Sequence, residues 1–517
     1  MKNKIFLVTL SPKTHRTSEE NLGIEYLKAS LCKNGYDVEI IDGWLCEFDV
    51  EDVFKKIIVD KDKTIFVGIS SYMSNTKPTI DLIDKLKKYD SEIKIACGGF
   101  GPTFYPKDYL LNGSDYVMLG EGEEVIVELA DCIKRNEIPR DVKNVGYKSK
   151  NDIIINEMRN LNDDLDSIPF PSRDLMDVVM NHKSTVNMLS SRGCSGNCEF
   201  CSVISFFRLA KGKVWRTRSI KNIVDEIEEL YKNGVIYIKM VDDSFVDGIR
   251  DEKWCRDFAD EIEKRNIKVR LRGQIRADKI TDSILYNLKR AGFFSFACGI
   301  ENGSETALAR MNKKATLEDN KKALELFKKY GYLVQMGYIL FDKETTYNEL
   351  LDNYNFLSIY DYTVTKGIFS EMFSAEGTKL NTKLRKNKQI KESDFINNNN
   401  KYDINNDIVK KIYEALKIWH KSHSYIYDMT IDPLTAPKAI DISYLEEFYK
   451  YAMLLKKQDL ELFRDLLLIA KNNSDIISFV NEKITNTRSY YENINKEVQK
   501  IYTKCKLKYN ANENPFI

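Results

Sequence analysis

Three cysteines stand close together in Ser190-Ser191-Arg192-Gly193-Cys194-Ser195-Gly196-Asn197-Cys198-Glu199-Phe200-Cys201. Three thiolates on one short loop can hold three irons of a cubane iron–sulfur cluster. The fourth iron is then open to a ligand, and an open metal position is where catalysis occurs. A structural zinc site would need four ligands in paired short spacings. No second Cys/His pair of that kind follows, since Cys255, Cys298 and Cys505 stand alone. The chain has ten cysteines, and the isolated ones suit small buried hydrophobes.

The elements that position this loop come next. The residues before it, 186–191, read as a strand, so the loop lies at a strand's C-terminal end, where barrel enzymes carry their active sites. Further strands are expected at 236–242, 268–275, 293–301, 332–341 and 364–373. Helices are expected between them at 219–233, 251–265, 280–291, 316–330 and 345–358. Six βα units imply a partial barrel, open on one side. Its strand ends are polar. After the second strand stand Asp242 and Asp243; after the third, Gln274, Arg276 and Asp278. The fourth ends Cys298-Gly299-Ile300-Glu301-Asn302-Gly303-Ser304. Alternation puts Ala297, Gly299 and Glu301 on one face and Cys298 with Ile300 on the other. If Glu301 faces inward, Cys298 packs against the helices.

Residues 1–150 alternate in the same way, with strands at 4–10, 37–42, 64–71, 94–98 and 116–119. Amphipathic stretches at 19–33, 50–59, 77–88 and 123–135 separate or follow them, which implies a parallel, doubly wound sheet. Ligands bind such sheets at the C-terminal strand ends. No Gly-x-Gly-x-x-Gly follows the first strand, so a dinucleotide is disfavoured. Small and hydroxyl residues fill three other strand-end loops: Ser70, Ser71, Ser74 and Asn75; Gly98, Gly99 and Thr103; Gly120, Glu121 and Gly122. They let a flat ligand approach the backbone closely.

The chain of 517 residues, 43% of them hydrophobic, is long enough for two or three domains with cores of their own. Lys+Arg number 79 against Asp+Glu 78, so there is no global basic footprint for nucleic acid. No apolar run reaches the ~20 residues a membrane span needs. The N-terminus reads as a first strand rather than a signal peptide. A cytoplasmic chain with reduced thiols is expected. Residues 151–185 read as a linker, and 379–517 as a helical domain with helices at 407–424, 440–456, 458–472 and 474–506. Trp419, His420, His423, Tyr425 and Tyr427 cluster between the first two of these, as helix core or as a substrate wall.

Cys-x3-Cys-x2-Cys, with Phe200 before the last cysteine, resembles the signature of the radical S-adenosylmethionine (SAM) enzymes. The later Asp242-Asp243 and Gly299-Ile300-Glu301 occur in the family's order. The resemblance implies a [4Fe-4S] cluster on Cys194, Cys198 and Cys201, whose open iron chelates SAM. It implies SAM contacts from Phe200, Asp242, Asp243, Gln274, Arg276, Glu301 and Ser304, with Glu301 on the ribose. Gly377-Thr378 resembles the close of the sixth unit, whereas Gly337-Tyr338 replaces a common glycine-proline. Residues 1–150, with Leu22-Gly23-Ile24-x-Tyr26-Leu27, resemble the cobalamin-binding domain that precedes the barrel in a large subfamily. Its binding set would be Ser70, Ser71, Ser74, Asn75, Gly98, Gly99, Thr103, Gly120, Glu121 and Gly122. Phe100-Gly101 replaces the usual Pro-His. Asp-x-His-x-x-Gly is missing, and His15 has the wrong neighbours, so cobalamin without a histidine ligand is expected. A methylthiotransferase would need three loop cysteines in this domain, where only Cys46 is in a loop.

The implied fold is α/β: a Rossmann-like sheet (1–150), a partial (β/α)6 TIM-type barrel (186–378) and a helical cap. The implied function is methyl transfer to an unactivated carbon, with SAM used twice: once to methylate cob(I)alamin and once to give the 5′-deoxyadenosyl radical. An external electron donor such as flavodoxin or ferredoxin is implied as partner. The alternatives are a cobalamin-binding radical rearrangement or cyclisation, and a non-catalytic cobalamin sensor or carrier. The substrate is not readable.

Overall fold

The computed structural model describes residues 3–12, 19–150, 152–365, 369–396, 399–471 and 475–507. Seven strands form the first sheet: β1 (Lys4–Thr9), β2 (Asp37–Asp42), β3 (Thr64–Ser70), β4 (Ile95–Gly98), β5 (Tyr116–Met118), β6 (Val145–Ser149) and β7 (Asp152–Ile155). Their order is β2-β1-β3-β4-β5-β6-β7, with β1 to β5 parallel and β6 and β7 antiparallel. The strand order reverses between β1 and β3, so a crevice opens at their C-terminal ends. Helices cover both faces. One apolar cluster joins Leu7, Ile24, Phe66 and Leu129, and the other joins Phe6, Val8, Val67 and Leu82. β7 carries this sheet past residue 150, into the stretch expected to be a linker, because a tight hairpin returns β6 on itself.

The first helix spans Leu22–Lys33 and starts three residues later than its amphipathic pattern suggests. Asn21 caps it, its side chain accepting from the Ile24 N–H. Glu19 and Glu20 leave the helix because both reach the barrel: Glu19 pairs with Lys239 at 2.7 Å, and Glu20 pairs with Arg173 at 3.1 Å. His15 lies outside the described residues.

The barrel begins with β8 (Val186–Met188), β9 (Ser191–Arg192) and β10 (Arg216–Thr217), and continues through β11 (Tyr237–Met240), β12 (Arg270–Arg276), β13 (Phe293–Glu301) and β14 (Leu333–Tyr338). β8-β11-β12-β13-β14 form one parallel sheet, and β9 pairs separately with β10. The strand expected over 186–191 breaks after Met188, because the Asp242 carboxylate takes the N–H groups of Ser190 and Ser191 at 2.6 and 3.0 Å. The sixth strand, expected over 364–373, is reduced to bridges from Gln335 to Val364 and from Phe341 to Glu371. The Ser370 carbonyl takes both the Leu340 and Phe341 N–H groups, which bends the pairing out of a ladder. Residues 366–368 lie outside the described residues.

Three long helices follow, Asp407–Thr435, Ile442–Ala470 and Ile476–Cys505, where four were expected. Lys456-Lys457-Gln458 are good helix formers, so nothing breaks the second. The ammonium of Lys456 is buried on the carbonyls of Tyr360 and Thr363, at 3.1 and 2.9 Å. The aromatic group lies within the first helix, where Trp419, His423 and Tyr427 are core and His420 and Tyr425 are half-buried. Trp419 and His423 are buried against Tyr491, and Trp419 donates to Asp459 at 2.8 Å. Tyr427 donates to the same carboxylate, which burial pushes up to about 7. These helices share one apolar cluster with the barrel. No helix among the described residues is long and apolar enough to cross a membrane.

Trp419→Ala removes a fully buried ring and one of the donors to Asp459. A loss of about 3–5 kcal/mol is expected from the cavity alone, read as the shift in chemical denaturation of the isolated protein.

Candidate active site

The cysteine loop is strapped down from several strand ends. The Gly193 N–H donates to Asp243 at 2.9 Å; the Ser195 N–H and hydroxyl donate to Asp247 at 2.9 and 2.6 Å. Asn312 donates to the Asn197 carbonyl at 3.0 Å, and the Glu199 backbone donates to the Met311 carbonyl and accepts from the Leu380 N–H. Gly193 has φ +82°, and a Cβ there would run into the Val214 carbonyl oxygen. A Cβ on Gly196 would come within 2.5 Å of Arg276 Nη1 and 3.3 Å of Cys194 Sγ. Close approach of backbone therefore demands glycine at 193, while Gly196 leaves room for the Arg276 side chain.

Burial pushes the Cys201 thiol up to about 11 and raises that of Cys198. Ligation has to displace those protons. Three thiolates on one strapped loop suit a cubane, which gives each thiolate its own iron.

The sequence-predicted SAM residues divide. Arg276 lies beside the loop: it grips Asp278 at 2.9 and 2.7 Å, and its Nη1 is 3.7 Å from Cys194 Sγ. Glu301 ends β13 with φ +66°, unusual for a side-chain residue, and pairs with Lys313 at 2.9 Å. A Cβ on Gly299 would meet Glu301 Oε1 at 2.5 Å and Lys313 Nζ at 2.9 Å, so the pair lies directly against this glycine. Burial would pull Lys313 down, yet Glu301 and Cys198 outweigh it and hold the ammonium above its usual range. Gln274 projects into the lumen, and Phe200 is half-buried on the loop. Asp243 reaches the space between the sheets, and burial pushes its carboxyl up to about 6. Asp242 and Ser304 are turned inward. Asp242 holds Ser190, Ser191 and, at 3.3 Å, the buried Arg250, while Ser304 donates to Asp352 at 2.9 Å. Cys298 and Ile300 pack against the helices, as alternation requires.

A cavity of about 500 Å³ lies where the first sheet's strand ends face the barrel. Ser70, Gly98, Gly99, Gly120, Glu121 and Gly122 line it, opposite Arg192, Phe206 and Asp243. Gly99 has φ +99°, and a Cβ there would sit 2.8 Å from the Ser71 carbonyl oxygen. This flat glycine-walled cradle fits the corrin of a cobalamin. A second cavity of about 570 Å³ shares Gly120, Glu121 and Arg192 with it and offers room for an appended tail. No histidine lines either cavity among the described residues. Four predicted residues are absent from the cavity lining, and three of them tie the framework. Ser71 bonds Tyr109 at 2.7 Å, Asn75 donates to the Leu10 carbonyl at 2.8 Å, and Ser74 is exposed. Thr103 ties two glycine loops, donating to the Gly99 carbonyl at 2.7 Å and accepting the Gly120 N–H at 3.1 Å.

Sequence reasoning missed Arg192 and Lys313. Arg192, two residues before Cys194, pairs with Glu121 at 2.8 Å and Glu123 at 2.5 Å, and Arg216 joins Glu121 at 2.8 Å. Burial would raise the Glu121 carboxyl, but the two guanidiniums hold it below its usual range. The signal was present in part: Arg192 lies within the cysteine motif, and Glu121 was already singled out.

Gly193→Ala is expected to leave the first sheet intact and to displace the cysteine loop. After anaerobic reconstitution the variant should hold less than about a tenth of the wild-type iron. Its cobalamin content, measured on the same sample, should be unchanged.

Residues 188–357 match the family model described as the Radical SAM superfamily, and residues 14–130 match the B12 binding domain. An uncharacterised methyltransferase of Pyrococcus horikoshii is 27% identical over 336 residues, 64% of this chain and 71% of that protein. The anaerobic magnesium-protoporphyrin IX monomethyl ester cyclase of Synechocystis is 23% identical over 349 residues, 66% of this chain and 68% of that protein. The structure of the cobalamin-dependent S-adenosylmethionine radical enzyme OxsB, with aqua-cobalamin and S-adenosylmethionine bound, aligns with a TM-score of 0.76 at 19% identity. It covers 99% of this chain and 82% of that one, a likeness of fold. With its cysteine loop at the mouth of the barrel and a B12-binding sheet facing that loop, the chain belongs to the radical SAM superfamily as a cobalamin-dependent enzyme.

Proposed function

We propose that this enzyme transfers a methyl group to an unactivated carbon of a substrate seated in the barrel lumen. The observation that carries this reading is a shared wall. The sheet cavity and a lumen cavity of about 480 Å³ are both lined by Glu20, Asn21, Tyr72 and Asn187. A group held on the glycine cradle therefore faces the lumen directly. When bound, the two cofactors would supply a transferable methyl group and a 5′-deoxyadenosyl radical.

The chain's own residues bind and orient. Cys194, Cys198 and Cys201 would hold three irons. The Arg276 guanidinium and the Glu301–Lys313 pair flank the remaining position, suited to a carboxylate and to ribose hydroxyls. Asp243 spans the two cofactor sites through Gly193. Thr435 and Ala436 of the helical domain line the lumen, so that domain closes the substrate cavity. Electrons would come from an external donor of the flavodoxin or ferredoxin class. A cytoplasmic setting belongs to this reading, since an exposed cluster needs reduced thiols.

The test is a single turnover of reduced, reconstituted enzyme with methyl-labelled SAM and no substrate. Methyl transfer predicts about one S-adenosylhomocysteine per bound cobalamin, with the label retained in the cobalamin fraction. Production of 5′-deoxyadenosine with no S-adenosylhomocysteine would replace this reading with rearrangement or cyclisation, the direction in which the cyclase relative points. Cys201→Ala should abolish 5′-deoxyadenosine formation.

A further inference from the structure

Arg272, on β12, is a buried cation that neither cofactor site uses. Alternation places it on the same face as Gln274 and Arg276, below them in the lumen. It is 3% exposed. Its two terminal nitrogens donate to Ser295 and Gln335, both neutral. No carboxylate among the described residues pairs with it, and Glu19 is the one acidic group whose charge reaches it. Glu19 is already held by Lys239, through both oxygens at 2.9 and 2.7 Å. Lys438 approaches Glu19 from the helical domain, with Asp432 nearby. Glu20 is turned away, onto Arg173 and the Asn187 N–H. Among the described residues, Arg272, Lys239 and Lys438 thus face Glu19 and Asp432, and no carboxylate touches Arg272. Burial pulls its guanidinium down to about 10, and the Glu19 charge only partly opposes this. A guanidinium has five N–H donors, and two are used here.

We propose that the lumen receives an anionic group of the substrate, a carboxylate or a phosphate-type oxyanion, on the free donors of Arg272, with Lys239 as the second cation. The cavity beside it is lined by Arg272, Lys239, Gln274 and Gln335 on the barrel side and by Glu19 and Tyr72 on the other. The planar fork suits two oxygens at once. Such an anchor at the lumen floor would fix a substrate's orientation before any hydrogen is removed. The inference rests on the reading of the lumen as the substrate cavity. The plain alternative is a strut, in which Arg272 does no more than tie β13 to β14.

The test titrates inorganic phosphate and succinate into the reconstituted holoenzyme with SAM bound, by calorimetry. One site per chain is expected for at least one probe. Tighter phosphate points to a phosphoryl or phosphonate substrate, and tighter succinate to a carboxylate. Arg272→Gln should weaken that site about tenfold or more, with iron and cobalamin contents unchanged. Gln335→Glu gives Arg272 an internal counter-ion and keeps its anchor, so it should weaken the site similarly even if Arg272→Gln does not fold. Binding of neither probe, or equal binding in Gln335→Glu and wild type, overturns the proposal. A wild-type enzyme that binds the probe but forms no S-adenosylhomocysteine overturns methyl transfer alone.

Discussion

Arg192 sets the geometry on which the rest depends. It belongs to the cysteine loop by sequence and to the first sheet by its ion pairs with Glu121 and Glu123. Glu121 lies in the loop after β5 and Glu123 opens the helix that follows, at the edge where the glycine cradle lies. One side chain therefore fixes the separation between the cluster loop and the cobalamin cradle. A buried ion network of this kind is weak evidence for stability, since desolvation offsets much of the attraction. Its value is positional. Arg216 and Arg173 repeat the device, each from a barrel-side segment to an acid of the first domain. Radical chemistry tolerates little play between its reacting partners, and rigid paired guanidiniums limit that play better than an apolar interface could.

The three cavities adjoin one another, because the same residues wall more than one of them. Gly120, Glu121 and Arg192 separate the tail space from the cradle; Tyr72, Asn21 and Asn187 separate the cradle from the lumen. Asn21 shows how local and global demands meet. It caps the first helix, and its amide reaches Ser70 at 3.3 Å on the cradle rim. The helix begins where it does because Glu19 and Glu20, which could have extended it, have stronger partners across the interface.

What was legible in the sequence was what is encoded locally. The cysteine spacing, the glycine-rich strand ends and the alternation along β13 depend on a few consecutive residues, and the structure keeps them in register. The roles of Asp242, Ser304, Ser71 and Asn75 depend on neighbours distant in sequence. Asp242 and Asp243 are adjacent, yet one turns to the backbone of Ser190 and the other to the cradle. Composition gives no sign of which does which. The same holds for Lys313, twelve residues beyond Glu301 and visible only once β13 and its following turn are placed. Arg272 is an intermediate case. Counting back by twos from Arg276 puts it on the lumen face, but its want of a carboxylate appears only when every neighbouring strand is in place. The helical domain was misdivided because helix formers without a breaker carry no internal stop.

Asp242 and Arg250 show why a residue at a motif position can serve the site without facing it. Both side chains are fully buried. Arg250 also donates to the Phe245 and Ser190 carbonyls at 2.8 and 2.7 Å and lies over the Trp254 ring. Together they replace the ladder bonds that the strand expected over 186–191 would have made. The backbone after Met188 is thus free to leave the sheet and form the cysteine loop, with its N–H groups satisfied rather than stranded. The broken strand and the buried carboxylate are one feature. Had Asp242 faced the lumen, Ser190 and Ser191 would have needed a neighbouring strand, and the loop would have started too late to place Gly193 under Asp243.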